Sequence, residues 1–376
     1  MPITLVGMSL LIWLAVGLLP WRPWSTRERL QLNVPLKSTD LSEISVLIPA
    51  RNEAACIAET LSRLSRQGTF ARIVLIDDQS DDDTKILAEN QAIDNLLVVE
   101  GSTPPEGWSG KLWALNQGLG FVDSRYVLLL DADIGLNPGT VTTLLNHLEE
   151  HRLDMASVMA NLHMQVFWEK LLLPPFVYFF KMLYPFALAN AAHSQIAAGA
   201  GGCVLLRMTK LREIGGFASL KDAIIDDCAL ARKIKDSPGR IWIGLSNDAR
   251  ALRPYKTLSN IWNMVARTAY TQLRYSKSLL LVCTLLLIIS YVVPIAALFH
   301  SSSIANMLGL VAIAAMLGTY APTVRYYGLS PLWIFTLPLA AVLFLAMTWT
   351  SAIRYSRGER SRWKNRSYAR AIDTDE

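Results

Sequence analysis

This 376-residue sequence predicts an α/β domain with a mostly parallel sheet, framed by membrane segments, on three observations. Between residues 44 and 160, short apolar and β-branched runs alternate with polar helical stretches, the pattern of strands buried on both faces by crossover helices. Acidic residues cluster directly after those runs, at the sheet edge where α/β domains bind ligands. Charge also vanishes at the two ends of the chain. Residues 1–20 carry no charged side chain, and 279–353 carry only Arg325.

The elements follow in chain order. Residues 44–48 read as a strand, and the turn 49–53 leads into a helix over 54–66. A strand at 73–76 ends in an acidic turn with a helix from Thr84. Further strands fall at 96–99 and 126–130, and a helix from Pro138 follows the second.

The apolar ends read differently. Residues 3–19 form an uncharged run followed by Trp21, Arg22, Trp24, Arg27 and Arg29, a retained anchor with its C-terminal side in the cytoplasm. Residues 279–299 and 304–323 are each long enough to span a bilayer, and 329–353 adds an uncharged stretch interrupted by Pro331 and Pro338. Three crossings would place the tail outside, yet its seven basic residues (Arg354, Arg357, Arg360, Arg362, Lys364, Arg366, Arg370) favour the inside. The expectation is therefore a re-entrant or interfacial C-terminal segment and a cytoplasmic tail. Two further segments read as interfacial: the proline-broken stretch 171–190, with a buried core helix as the alternative, and an amphipathic helix over 258–277.

The predicted organisation is thus an anchor (1–20), a basic linker (21–43), a catalytic domain (44–257), an interfacial helix (258–278), a membrane region (279–353) and a basic tail (354–376). The net charge of +5 does not point to nucleic acid. Basic and acidic residues balance over 41–353, and the surplus lies beside apolar segments, where anionic lipid headgroups would meet it. Four cysteines (Cys56, Cys203, Cys228, Cys283) without a CxxC pair read as free thiols in a reducing compartment.

Asp77 and Asp78 stand at one strand end, where carboxylates can accept from a base or ribose. Asp81 or Asp83 would cap the next helix. After 126–130 come Asp131 and Asp133, spaced so that two hard oxygen ligands can share one Mg²⁺ or Mn²⁺ and neutralise a diphosphate. Asp226 and Asp227 offer a carboxylate base or a helix cap. His147 to His151 match HxxEH, but these are ordinary residues on a helix surface without an identifiable further ligand. Gly199–Gly202 lacks the following helix of a dinucleotide loop and reads as a tight turn beside the acceptor. Trp108, Trp168 and Trp242 could stack on a sugar, although packing is the commoner role.

In order, VLIPARNEA (46–54), VLIDDQSDDDT (74–84), GWSGK (107–111), LLLDADI (128–134) and IDDCALA (225–231) resemble the motifs of family 2 glycosyltransferases, which are inverting enzymes with a GT-A, Rossmann-like fold. GAGGCVLLR (199–207), REIGGF (212–217), TQLRYS (271–276) and RWKNRSY (362–368) are similar to a bacterial subgroup associated with hopanoid biosynthesis. The resemblance implies a nucleotide pocket at Pro49, Arg51 and Glu53, contacts from Asp77 and Asp78 to uracil and ribose, and Lys111 near the donor. It implies Asp131 and Asp133 at the metal and diphosphate, with Asp133 the more direct ligand, and Asp227 as general base. Asp226 stands where the family usually has Glu. Thr271, Gln272, Leu273, Arg274 and Tyr275 form an imperfect QxxRW motif, with Thr at the first position and Tyr in place of Trp, which argues against processive synthesis. The implied protein is a multi-pass enzyme of the bacterial inner membrane with its catalytic domain in the cytoplasm, moving a sugar from a UDP-linked donor to a lipid hydroxyl. A nucleotidyltransferase of related fold, and a nucleotide-binding transport or scaffold protein, are the competing readings.

Overall fold

The structure, a computed structural model, describes residues 1–32, 39–363 and 366–369. The chain divides into two compact units, one of residues 28–163 and 186–254, the other of 1–27, 164–185 and 255–376.

The first unit is built on eight strands: β1 (Thr39–Ala50), β2 (Gly68–Asp77), β3 (Leu96–Glu100), β4 (Tyr126–Leu130), β5 (Ile134–Leu136), β6 (Met155–Asn161), β7 (Cys203–Arg207) and β8 (Ile241–Ala251). They form one mostly parallel sheet in the order β3-β2-β1-β4-β7-β6-β8-β5. All neighbours from β3 to β4 are parallel, as are β6 and β8. β7 runs antiparallel to both its neighbours, and β5 is antiparallel to β8.

Alternate side chains explain the continuous apolar runs. Val46, Ile48, Ile73, Leu75, Leu128 and Leu130 pack on one face with Ile57, Leu61, Val141 and Leu144 from the helices Ile57–Ser65 and Thr140–Glu150. Leu47, Val74, Ile76, Val127 and Leu129 pack on the other with Leu112 and Leu115 of Gly110–Leu119 and Leu230 and Ile234 of Asp226–Asp236. Both faces are therefore dry, which selects β-branched and leucine runs at every position. The register sets Ala50 beside Asp77, and Leu47 beside Leu129. Residues 51, 78 and 131 consequently leave the sheet at a common edge.

The second unit is helical. Lys277–Ala297 (21 residues), Ser303–Tyr326 (24) and Pro331–Ser356 (26) are each long and apolar enough to cross a membrane. Their lengths do not set one apart as re-entrant. The N-terminal helix Ile3–Leu18 has only 16 residues, about 24 Å at 1.5 Å per residue, and so is shorter than the expected full anchor. Its Trp13 is buried and donates from Nε1 to the Ser290 carbonyl at 2.8 Å.

The stretch 171–190 divides at Tyr184 and Pro185 into the helices Phe167–Leu183 and Phe186–Asn190. The first contains Pro174 and Pro175 and is buried along Leu171–Leu173, Val177 and Tyr178. Its Tyr178 hydroxyl shares a 2.8 Å hydrogen bond with Thr319, and this packing offsets the backbone donors that the prolines lack. The segment 258–277 is likewise not one helix. Leu258–Ala266 begins at a Thr257–Asn260 capping box, and a separate turn, Ala269–Gln272, follows. Arg274 and Tyr275 then take positive φ (50° and 55°), which no helix continues through. Of the basic tail, Lys364 and Arg370 lie outside the described residues, while Glu359–Trp363 and Arg366–Ala369 pair as an antiparallel hairpin.

Candidate active site

The site grows from the carboxyl edge of the parallel strands. After β1, Arg51 folds back over the turn that follows β2 and donates from Nη1 to the carbonyls of Asp78 at 2.5 Å and Gln79 at 2.9 Å. Asn52 and Gln79 both have positive φ (52° and 57°), so each chain doubles back within a residue. Asp78 is fully buried, and its N–H donates to the Ala50 carbonyl at 2.7 Å. Asp77 accepts from the Ser80 N–H at 3.3 Å through Oδ2, while its buried Oδ1 has no hydrogen-bond partner among the described residues. A buried carboxylate oxygen without a donor fits an incoming hydroxyl or N–H. Asp83 holds the N-cap position of the next helix, Thr84–Glu89, without a side-chain cap hydrogen bond, and the neighbouring Asp82 supplies the acceptor. Asp82 accepts from the Thr84 N–H and the Ala54 N–H, both at 3.1 Å. Asp81 instead lies 3.9 Å from Arg51.

The second group surrounds Lys111, in the first turn of a helix capped by Ser109. Its Nζ lies 2.9 Å from Asp131 Oδ1 and 3.1 Å from Asp226 Oδ2. Burial alone would discharge this ammonium, but the carboxylates of Asp131, Asp226 and Asp227 hold its pKa above the usual lysine range. Asp227 accepts the Gly201 N–H at 2.7 Å on Oδ2 and the Cys228 N–H at 2.7 Å on Oδ1. Burial and the adjacent Asp226 push its pKa up to about 6, against the opposing pull of Lys111 and the two N–H groups. Asp227 is thus a carboxylate near neutrality that still binds a proton readily, which suits a general base. Pro49, Lys111, Asp131, Gly201, Asp226 and Asp227 line one pocket, closed by Leu112, Leu129, Phe217 and Leu220.

The glycine loop packs against Asp227, which sequence reasoning did not see. A Cβ at Gly199 would lie 2.7 Å from the Asp227 carbonyl, and one at Gly201 would lie 3.3 Å from both Asp227 Oδ2 and Lys111 Nζ. Lys235, from the far end of the Asp226–Asp236 helix, donates to the carbonyls of Ala191, Ser194 and Ile196 at 3.0, 2.9 and 2.7 Å. One helix therefore carries the acid pair and also fixes the segment leading to the loop. No motif spacing reveals either contact.

Asp133 pairs with a second missed residue, Arg253, whose Nε donates to its Oδ2 at 3.0 Å and whose Nη2 also pairs with Glu53. Asp131 and Asp133 supply hard oxygen donors, the chemistry that Mg²⁺ or Mn²⁺ requires, so a divalent ion fits them if diphosphate oxygens complete its shell. Among the described residues, no group of three or more His, Cys, Asp or Glu gathers as a metal cluster. His147 instead packs on Trp242, with ring centroids 4.3 Å apart. Gln272, Arg274 and Tyr275 fall in the helical unit. There Gln272 accepts from the Tyr184 hydroxyl at 2.5 Å, and Tyr275 stacks on Tyr355 at 4.2 Å.

An α/β sheet with acidic turns at its carboxyl edge and a half-buried acid pair in the same pocket has the form of a GT-A type domain. Residues 45–215 match the family model for glycosyl transferase family 2. The chain is similar to the 4,4'-diaponeurosporenoate glycosyltransferase of Staphylococcus haemolyticus, 31% identical over 114 residues, 30% of each chain. It is also similar to the uncharacterized glycosyltransferase YaiP of Escherichia coli, 34% identical over 98 residues, 25% of this chain and 23% of that one. These matches span less than a third of the curated relatives' length. Among solved structures, a mannosyltransferase from Pyrobaculum calidifontis in complex with GDP-Man and Mn²⁺ shares the fold. The TM-score is 0.56 at 19% identity, over 90% of this chain and 98% of that one.

Proposed function

We propose that the protein is a membrane-associated, inverting glycosyltransferase that moves a sugar from a nucleotide-sugar donor, UDP-linked by the family resemblance, to a lipid hydroxyl of hopanoid type. The observation that carries this reading is the group formed by Asp227, Asp226 and Lys111. A half-buried carboxylate with its pKa raised to about 6 shares the pocket with an ammonium that salt-bridges both Asp226 and the first acid of the Asp131–Asp133 motif. Asp227 takes the proton of the acceptor hydroxyl as that oxygen attacks the anomeric carbon, and a single displacement turns an α-linked donor into a β-glycoside. Lys111 offsets negative charge between the base and the diphosphate side of the pocket. Asp77, Asp78 and Arg51 shape the nucleotide end. Asp131 and Asp133 would hold a divalent ion, which when bound neutralises the departing diphosphate. The three helices long enough to span a bilayer support a lipid acceptor and an inner-membrane location, with the catalytic domain on the cytoplasmic side; a tail on that side as well requires that one of the three does not cross.

The test is an assay of detergent-purified protein with a panel of nucleotide sugars and cellular lipid extract. Release of a nucleoside diphosphate together with a new glycolipid is the expected result, abolished by chelator and restored by Mn²⁺ or Mg²⁺. Release of pyrophosphate would instead make the chain a nucleotidyltransferase.

A further inference from the structure

Arg253 belongs to none of the sequence motifs and lies in the chain that follows β8, yet it touches two of the residues named above. Its Nε donates to Asp133 Oδ2 at 3.0 Å, its Nη2 pairs with Glu53, and the N–H of the preceding Leu252 donates to the Asp133 carbonyl at 2.8 Å. The Glu53 side chain is only 9% exposed, a setting in which a carboxylate needs a cation beside it. One planar guanidinium thus joins a carboxylate from the turn after β1 to one from the turn after β4, a two-sided arrangement that a point charge cannot reproduce.

We propose that Arg253 is the resident counter-ion of the donor site, a positioning residue that competes with a divalent cation for Asp133 and links ion binding to donor binding. This rests on the glycosyltransferase reading. An ion that takes Asp133 Oδ2 as a ligand competes with the guanidinium for that oxygen, and an ion on either oxygen meets its positive charge, so ion binding alone is weakened. Once displaced, the guanidinium has the donor diphosphate as a compensating anion. Ion and donor therefore bind better together than apart, and the coupling is reciprocal.

The experiment is a Mn²⁺ titration, followed by electron paramagnetic resonance, on detergent-purified full-length protein with and without UDP or GDP. Wild type, Arg253→Gln, Arg253→Lys and Asp133→Asn are compared. Arg253→Gln should bind Mn²⁺ alone roughly three- to tenfold more tightly than wild type, and gain less from the nucleotide diphosphate. Arg253→Lys should fall between them, because lysine reaches only one carboxylate. Asp133→Asn should lose the tight site. A scaffolding role alone would weaken both affinities. Equal or weaker Mn²⁺ binding in Arg253→Gln, an undiminished gain from nucleotide, or failure of both Arg253 variants to fold would overturn the inference. Absent sugar transfer by wild type would defeat the underlying reading, whereas the Mn²⁺ comparison defeats only the role of Arg253.

Discussion

The sheet has two halves that hold their charged groups by different means. From β3 to β4, where all neighbours are parallel, the groups sit on short turns after the strands and are fixed by side chains. Arg51 donates to two carbonyls of the neighbouring turn, and Lys111 pairs with Asp131. From β7 onward the strand directions are mixed, and Asp227 is fixed by backbone. The Gly201 and Cys228 N–H groups take its two oxygens, and Gly199 lies against its carbonyl. Both halves carry recognisable motifs, but the close approach that fixes Asp227 shows in the sequence only as glycines.

The contrast predicts different kinetic damage in the two halves. Asp227→Asn should lower kcat by about a thousandfold with donor KM nearly unchanged, measured by glycolipid formation. Unchanged turnover would move the base to Asp226. Gly199→Ala comes next. Its methyl would meet backbone at 2.7 Å, which cannot yield as a side chain can, and shifting the base should cost kcat about 10- to 100-fold without changing donor KM.

The pH profile should show an acid limb set by Asp227. Its pKa is raised to about 6, so the basic form is present above that value and is lost as pH falls through it. Transfer at pH 5 should be about a tenth of that at pH 7.5, provided Asp227 is the group that must be unprotonated. A limb centred near pH 4 would remove burial from the account. The smallest effect belongs to the parallel half. Arg51→Ala should raise donor KM about fivefold while sparing kcat, since it removes two hydrogen bonds that shape the nucleotide turn. A fall in kcat instead would erase the distinction between the halves.

The same contrast explains how far the sequence could be read. β4 appears at 126–130 as expected, because Tyr126 to Leu130 are buried on both faces and continuous hydrophobicity admits few alternatives. β7 follows directly on Gly199–Gly202, whose last two residues form the expected turn, and the packing of this segment on Asp227 adds a contact that no spacing reveals. Arg253 was illegible because its partners lie 120 and 200 residues away in sequence. In the helical unit, hydropathy located the long apolar helices, but helical spacing ran smoothly through 267–268, where the backbone breaks. Pro174 and Pro175 misled in the opposite sense, because burial among other helices outweighs the penalty of two missing donors.

The packing of Gly199 and Gly201 against Asp227 also constrains how the enzyme can diverge. A side chain at Gly199 would meet the Asp227 backbone at 2.7 Å, and one at Gly201 would press on Asp227 and Lys111 at 3.3 Å, so on the proposed reading neither position is free to reshape the acceptor site. The segment before them is held by Lys235 through main-chain carbonyls alone, which makes that anchorage indifferent to the side chains at 191, 194 and 196. Lineages that switch acceptor should therefore accumulate their substitutions in that segment and keep the two glycines. New specificity can then evolve a few residues from the base without moving it.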